Sequence, residues 1–100
     1  MFRKAAGFPR EMRLVLTSQI QRAALSILSN TAEGFGRNSP RDFARCLKIA
    51  SGSACELESL LVLCRDLALI NAEEYARFSN EPTQIQRMLS GLIRHLNSRA

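Results

Sequence analysis

The chain has 100 residues, of which 46% are hydrophobic and 23% are charged, and its formal net charge is +5. This length fits one domain around a single hydrophobic core, and no apolar run approaches the ~18 residues that a membrane span needs. Residues 1–9 include basic side chains with no apolar stretch after them, so we expect no secretory signal. The composition therefore predicts a cytoplasmic protein that does not have a membrane among its partners.

The first long helix is predicted over residues 10–35. Apolar or small side chains recur there every three or four residues, which places them on one helix face; they are Leu16, Ile20, Ala23, Ala24, Ile27, Leu28 and Thr31. We expect Gly34 and Gly36 to end this helix, because glycine tolerates the left-handed backbone conformation that a helix C-cap often requires.

The second long helix is predicted over residues 40–69, with Ser39 as its N-cap and Pro40 at the first helical position. Its apolar side chains step by four and three residues, as in a coiled-coil seam; they are Phe43, Leu47, Ala50, Ala54, Leu57, Leu61, Cys64 and Ala68. A second stripe runs beside this seam and consists of Cys46, Ile49, Ser53, Leu60, Leu63 and Leu67. So wide an apolar arc must be covered on more than one side. Because Gly52 lies among small residues, we expect another backbone to approach it closely.

The third long helix is predicted over residues 72–98. Asn71 is a suitable N-cap, and we expect Pro82 either to kink the helix or to make it restart, because proline cannot continue the hydrogen-bond ladder of a straight helix. No segment alternates with the period of two residues that indicates a half-buried strand. The sequence therefore predicts an all-α, up-and-down bundle in which residues 1–100 form one domain.

The residues that usually carry catalysis or bind metals are scarce. His95 is the one histidine, and it lacks the second histidine or carboxylate cluster that metal binding or acid–base chemistry requires. Cys46, Cys55 and Cys64 are nine residues apart, so none of them can form a disulfide within one helix. We interpret them as small buried side chains in a reducing compartment. The sequence predicts no catalytic residue, no metal, no cofactor and no enzymatic activity.

Several ordered motifs are similar to those of a known family. They are Phe8-Pro9 with Glu11, residues 16–27, residues 30–34 with Arg37, Gly52-Ser53 with Glu56-Leu57-Glu58, and residues 88–93. Over about residues 8–97 the chain resembles the "four helix bundle protein" family, also called 23S rRNA intervening-sequence proteins. The resemblance implies a four-helix bundle that assembles into a homopentamer. It also implies a relation to the accessory variability determinant of diversity-generating retroelements, a basic pentamer that works with a reverse transcriptase and its RNA.

The chain departs from this family pattern at its start. Proteins that resemble this family carry a full helix before the Phe-Pro pair. In this chain, residues 1–8 would form only a stub of about two turns. Three long helices and a stub leave an apolar groove along the core. We expect either that a neighbouring subunit fills the groove in a homo-oligomer, or that the start of the chain has been lost.

The basic side chains are concentrated in the first half of the chain. Residues 1–50 hold nine Lys or Arg and three acids, whereas residues 51–100 hold five and six. Candidate contacts to an RNA or DNA backbone are Arg22, Arg37, Arg41, Arg45 and Lys48, because arginine binds phosphate with two donors at once. In an oligomer they would form a ring of positive potential. The alternative is a solvated face that promotes solubility, and the lack of exposed aromatic residues among them argues against base-specific stacking.

A second polar group consists of Arg22, Asn30, Glu33 and Glu56. We interpret it as a structural network that fixes helix register or closes a subunit interface. The alternative is a ligand or catalytic site between helices, although the group has no nucleophile, metal ligand or histidine.

These observations predict a non-enzymatic, self-assembling helical bundle that binds RNA, DNA or a nucleic-acid enzyme through an Arg-rich surface. The alternative function is a structural protein–protein interaction module that accepts a partner helix in its apolar groove.

Overall fold

The computed structural model describes residues 10–99 and shows three α-helices. α1 covers Arg10–Phe35, α2 covers Pro40–Asp66 and α3 covers Ala72–Arg99. No strand occurs among the described residues, so the all-α class is confirmed. The expected helical stub at residues 1–8 lies outside the described residues, and the structure shows three helices where the prediction has a bundle of four.

The three helices form a single layer with α2 in the middle. α2 packs against both neighbours, whereas no Cα atom of α1 lies within 8 Å of a Cα atom of α3. The Cα extents are 52 × 23 × 13 Å, and the smallest of them is little more than the diameter of one helix. The two faces of this layer are therefore both open along α2, and each can present a different surface.

Side-chain caps fix the starts of α2 and α3. The Ser39 hydroxyl accepts a hydrogen bond from the Asp42 backbone N–H at 3.1 Å, and Pro40 follows it as the first helical residue. At α3, Asn71 Oδ1 accepts from the Glu74 N–H at 2.7 Å, and Glu74 Oε1 accepts from the Asn71 N–H at 3.0 Å. This reciprocal pair is a capping box, which satisfies two backbone donors that have no partner inside the helix.

α2 ends at Asp66, three residues before the predicted end at residue 69. The Leu69 N–H donates to the Cys64 carbonyl at 2.9 Å, and the Ala68 N–H donates to the Arg65 carbonyl at 3.0 Å. This is a Schellman motif, and Ala68 occupies its left-handed position with φ of 61°. The apolar run through residue 69 predicted a longer helix because the sequence places alanine where this turn usually has glycine.

Replacing Ala68 by glycine is expected to stabilise the fold by about 1 kcal/mol. The left-handed conformation crowds the Cβ of Ala68, at a cost of about 1–2 kcal/mol that glycine avoids, and the greater freedom of glycine in the unfolded chain offsets part of the gain. The measurement is the free energy of unfolding in urea. Gly52→Ala is the control, because it makes the reverse exchange inside a helix, where alanine is expected to stabilise the fold through its higher helix propensity. A lower free energy of unfolding for Ala68→Gly than for the wild type would contradict the strain assigned to Ala68.

Gly34 has a different role from the predicted one. Neither Gly34 nor Gly36 adopts a left-handed conformation, and Gly34 is buried inside the last turn of α1. A Cβ on Gly34 would lie 2.7 Å from Phe43 Cδ1 and 3.3 Å from Cys46 Cβ. The glycine therefore provides room for α2 to approach α1 closely, and it is not required for a helix-ending turn.

Two apolar clusters form the core along α2. The first joins α1, the end of α2 and the following turn, and it contains Leu16, Leu61, Cys64, Leu69 and Ile70. The second joins α2 to α3 and contains Ala44, Leu47, Ala50, Leu89 and Leu96. Five members of the predicted coiled-coil seam are fully or almost fully buried: Leu47, Ala50, Ala54, Leu61 and Cys64. The seam is therefore the packed face of α2.

α3 continues through Pro82 as one helix. The Pro82 ring is buried. The Thr83 hydroxyl donates to the Ser79 carbonyl at 3.0 Å, next to the position where proline lacks a backbone N–H. The helix therefore does not restart at Pro82, and the expected kink stays a prediction.

Candidate nucleic-acid interface and apolar groove

A cationic cleft lies between α2 and α3 near the start of α2. Its volume is about 530 Å³, and it is lined by Arg41, Ala44, Arg45, Lys48 and Asn97. The three cationic side chains are exposed, and none of them forms an ion pair with another described residue. They extend from consecutive turns of α2, since they are four and three residues apart. The cleft therefore presents three free cationic groups to a ligand in solvent.

Arg37 does not join this cleft. Its guanidinium binds the Glu33 carboxylate, four residues earlier, across the end of α1. A hydrogen bond to the Cys46 side chain, together with the charge of Glu33, raises the pKa of Arg37. Arg37 is thus engaged within the chain, at the turn between α1 and α2, and is a weaker candidate for phosphate contact than the sequence predicted.

A second polar cavity lies further along the same pair of helices. Its volume is about 370 Å³, and it is lined by Glu58, Thr83, Gln86, Arg87, Ser90 and Arg94. The sequence analysis did not include these residues as candidates, because the second half of the chain has a net negative charge. A signal was present: on α3 the polar residues at 83, 87, 90, 94 and 97 step by four and three and so share one helix face.

The predicted polar network of Arg22, Asn30, Glu33 and Glu56 does not form one unit. Arg22 and Glu56 line the same small cavity, of about 130 Å³, between α1 and α2, but they make no ion pair with each other. Glu33 lies apart, on Arg37.

Asn30 takes part in a different interaction, which crosses between the helices. Its side-chain amide donates to the Ser26 carbonyl at 2.9 Å and to the Ser26 hydroxyl at 3.1 Å. The Ser26 hydroxyl in turn contacts the Ser53 hydroxyl of α2 at 2.6 Å. Because these half-buried groups satisfy one another, they fix the register of α1 on α2. The sequence analysis did not identify the serine pair as part of the network.

An apolar groove runs between α1 and α3 on the other face of the layer. One cavity of about 430 Å³ is lined by Ile27, Leu28, Thr31, Ala32, Phe35, Ile85, Met88 and Leu89. A further cavity of about 380 Å³ is lined by Ile20, Ala24, Leu57, Leu61, Arg77, Phe78, Glu81 and Pro82. Leu28, Phe35 and Met88 keep 68%, 71% and 72% of their surface exposed. The groove is therefore an exposed apolar patch of the kind that marks an interaction site.

The cationic cleft and the apolar groove face away from each other. Lys48 lines the cleft and Leu57 lines the groove, and these two residues of α2 are nine positions apart. Nine residues turn an α-helix by about 900°, which places their side chains on opposite sides. A ligand in one surface consequently leaves the other accessible.

The prediction that all three cysteines are buried is wrong for one of them. Cys46 and Cys64 are buried, whereas Cys55 is exposed and accepts a hydrogen bond from the Gln86 side chain at 2.6 Å. Burial raises the pKa of the Cys64 thiol, which keeps that thiol protonated. Cys64 belongs to the predicted seam and Cys46 to the second stripe, whereas Cys55 lies outside both apolar patterns.

The described residues show neither a metal site nor a membrane-spanning helix. Within residues 10–99 no group of three or more His, Cys, Asp or Glu side chains is arranged to hold a metal ion. None of the three helices has the length and apolarity that crossing a membrane requires. Gly52 is open: apart from its chain neighbours and the backbone of its own helix, no atom of residues 10–99 lies within 4 Å of the position of a Cβ there. Among these residues, none makes the close approach expected at Gly52.

Comparison with known proteins identifies a family and a similar solved structure. A family described as "23S rRNA-intervening sequence protein" matches residues 1–91. A crystal structure from Bacteroides thetaiotaomicron VPI-5482, described as a protein with unknown function from the S23 ribosomal protein family, is 34% identical with a TM-score of 0.77, and the alignment covers 79% of this chain and 73% of that chain. None of the curated proteins matches the chain.

Proposed function

Because the chain belongs to the 23S rRNA-intervening sequence protein family, whose description names no activity, we propose a function from the two surfaces described above. The protein is a non-enzymatic, cytoplasmic helical module that self-assembles through its apolar groove and binds the phosphate backbone of RNA or DNA through its cationic cleft. The homopentamer and the relation to the accessory variability determinant, both implied by the resemblance, belong to this proposal.

One observation carries the nucleic-acid part of the proposal: Arg41, Arg45 and Lys48 are exposed around one cleft without an ion pair to a described residue. A surface arginine that serves solubility or local stability is often paired with a carboxylate close in sequence, as Arg37 is with Glu33 across the end of α1. Free cations that converge on a concave surface are the arrangement that binds phosphate groups and releases their counterions. No aromatic side chain lines the cleft, so binding through the backbone is independent of base sequence.

The descriptions of the relatives support the choice of probe. The family description contains 23S rRNA, and the Bacteroides protein is assigned to a ribosomal protein family. RNA is therefore the first polymer to test against this chain, with DNA of the same length beside it.

The test is binding of the full chain to a fluorescently labelled single strand, measured by anisotropy across a salt series. Each phosphate contact contributes about 0.7 to the slope of log affinity against log salt for a single strand. Replacing Arg41, Arg45 and Lys48 by glutamine is expected to lower the magnitude of this slope by about 2. The affinity is expected to fall by about tenfold or more at physiological salt.

The matched control replaces Arg10, Arg13 and Arg65 by glutamine, which removes the same charge from residues that line neither the cationic cleft nor the apolar groove. The control is expected to retain most of the wild-type slope and affinity. Equal losses in both triple variants would mean that only the net charge of the chain attracts the polymer. Absence of wild-type binding at low salt would contradict the nucleic-acid part of the proposal outright.

The apolar groove favours a second candidate function, in which the chain accepts an amphipathic helix of a different protein. Leu28 and Met88 stand on opposite walls of the groove, as the anchor positions of a helix-in-groove interface do. Salt separates this candidate from phosphate binding, because docking of apolar side chains changes little with ionic strength.

A further inference from the structure

The second polar cavity, between α2 and α3, contains hydrogen-bond donors that the described chain does not use. Arg87 and Arg94 are exposed, and neither forms an ion pair with another described residue. The Ser90 hydroxyl lies between them along α3 and has no hydrogen-bond partner within residues 10–99. The cavity therefore offers two guanidinium groups and one hydroxyl to a ligand.

These three donors share one face of α3. They are three and four residues apart, and the two arginines are separated by about 10 Å along the helix axis. The other uncharged side chains of this wall are already engaged: the Thr83 hydroxyl donates to the Ser79 carbonyl, and the Gln86 amide donates to Cys55 on α2. The donors that remain for a ligand are those of the two arginines and the serine between them.

The chemistry of these donors indicates the class of ligand. A guanidinium presents paired N–H donors that match two oxygens of a phosphate group. Two guanidinium groups on either side of a hydroxyl favour a ligand with two linked phosphates over a ligand with one. The cavity volume of about 370 Å³ is at the lower end of the range for small-molecule sites. Because every lining residue is polar, the cavity favours a compact anion over an apolar ligand.

Glu58 is the acidic side chain of the cavity, and it lies on the α2 wall. Its Oε1 atom is buried, so this oxygen is not accessible to a ligand. Neither arginine forms an ion pair with Glu58, so the guanidinium groups stay free for an anion. The negative charge of Glu58 nevertheless acts across the cavity, and it is expected to weaken the binding of any anion there.

We propose that the second polar cavity binds a compact anion with two linked phosphate groups, either inorganic pyrophosphate or the diphosphate of a nucleotide. Arg87 and Arg94 each bind one phosphate, and the Ser90 hydroxyl donates to the ligand between them. The residues of this site do not line the cationic cleft, so the inference goes beyond the proposed nucleic-acid function and does not depend on it.

The test is isothermal titration calorimetry of the full chain at low salt, with pyrophosphate and orthophosphate as probes. Pyrophosphate is expected to bind about tenfold more tightly, because its second phosphate adds a hydrogen bond between charged groups. Replacing Arg87 and Arg94 by glutamine is expected to lower the pyrophosphate affinity by about tenfold or more. The matched control replaces Arg10 and Arg65, which removes the same charge outside the cavity and is expected to keep the affinity.

Glu58→Gln tests the same site in the opposite direction. It removes the repulsive charge from the cavity wall with little change of shape, so the pyrophosphate affinity is expected to rise by about threefold. Adenosine diphosphate separates the two sources of the ligand: binding at least as tight as that of pyrophosphate assigns the site to a nucleotide, and weaker binding assigns it to free pyrophosphate. An unchanged or lower affinity in Glu58→Gln would place the anion elsewhere and contradict the inference.

The remaining outcomes separate this site from the cationic cleft. If the Arg41, Arg45 and Lys48 variant loses pyrophosphate binding while the Arg87 and Arg94 variant matches its control, the anion binds in the cationic cleft. The proposed function then stands and the present inference is wrong. Equal losses in the Arg10 and Arg65 control, or no binding of pyrophosphate by the wild type, overturn the inference and leave the proposed function to its own test.

Discussion

Aspartate at both Leu28 and Met88 is expected to abolish the proposed self-assembly and to leave a single subunit of 11.2 kDa. Both side chains are about 70% exposed within the chain, so the substitutions leave its own core intact. In an assembly that covers the groove, the two new aspartates would be buried without partners, and burying each charge would cost several kcal/mol of association free energy. The measurement is the absolute mass by light scattering after size exclusion, at moderate salt.

The matched control places aspartate at Ile49 and Leu63. These residues are also exposed and apolar, but they lie on α2 and do not line the apolar groove. The control is expected to keep the wild-type mass, and a wild-type mass near five subunits would support the pentamer. A wild-type protein that is already a single subunit contradicts self-assembly and leaves the groove for a helix of another protein. A control that dissociates equally would place the contact outside the groove.

Leu61→Ala is expected to destabilise the fold by about 3 kcal/mol, within the range for buried leucines. Leu61 is 1% exposed and contacts the core cluster that joins α1 to α2 and to the turn before α3. This residue also forms part of the floor of the groove, so the substitution removes packing from the cluster and enlarges the groove. For a domain of this size the change corresponds to a fall in Tm of more than about 10 °C.

Leu25→Ala is the control for this substitution, because Leu25 is 65% exposed. Its expected change lies within about 0.5 kcal/mol. Both variants are compared with wild type by urea unfolding at two protein concentrations, since self-assembly makes the apparent stability depend on concentration. A loss below about 1 kcal/mol for Leu61→Ala would contradict the packing described for the first cluster.

The periodic and capping signals explain why much of this fold follows from the sequence. The step pattern from Phe43 to Cys64 can place its apolar residues together only on a helix, and the structure buries most of that face. Ser39 and Asn71 cap their helices through local hydrogen bonds that need no tertiary information. Local rules of this kind act within a few residues, so one sequence is sufficient to apply them.

Other features depend on contacts between distant residues, which one sequence does not show. The left-handed position at Ala68 is imposed by packing of the turn before α3 onto the core, against the preference of alanine itself. Gly34 is required because Phe43 approaches it from another helix.

The same limit explains the candidate site. Arg41, Arg45 and Lys48 are close in sequence and were predicted together. Arg87 and Arg94 line the second polar cavity, beside Glu58 of α2, only because α3 packs against α2, which no local spacing indicates. The net charge of the second half of the chain did not indicate these two arginines, because the net charge of a segment does not show where its charged side chains lie on the folded surface.

The central position of α2 also determines how the chain can fold. Within residues 10–99 the helix pairs whose Cα atoms come within 8 Å are adjacent in sequence, namely α1 with α2 and α2 with α3. Such local connectivity gives a low contact order, which goes with rapid folding. The hairpin of residues 10–66 has its complete set of α1–α2 contacts before α3 leaves the ribosome. Synthesis of α3 then adds a second hairpin onto a helix that is already in place.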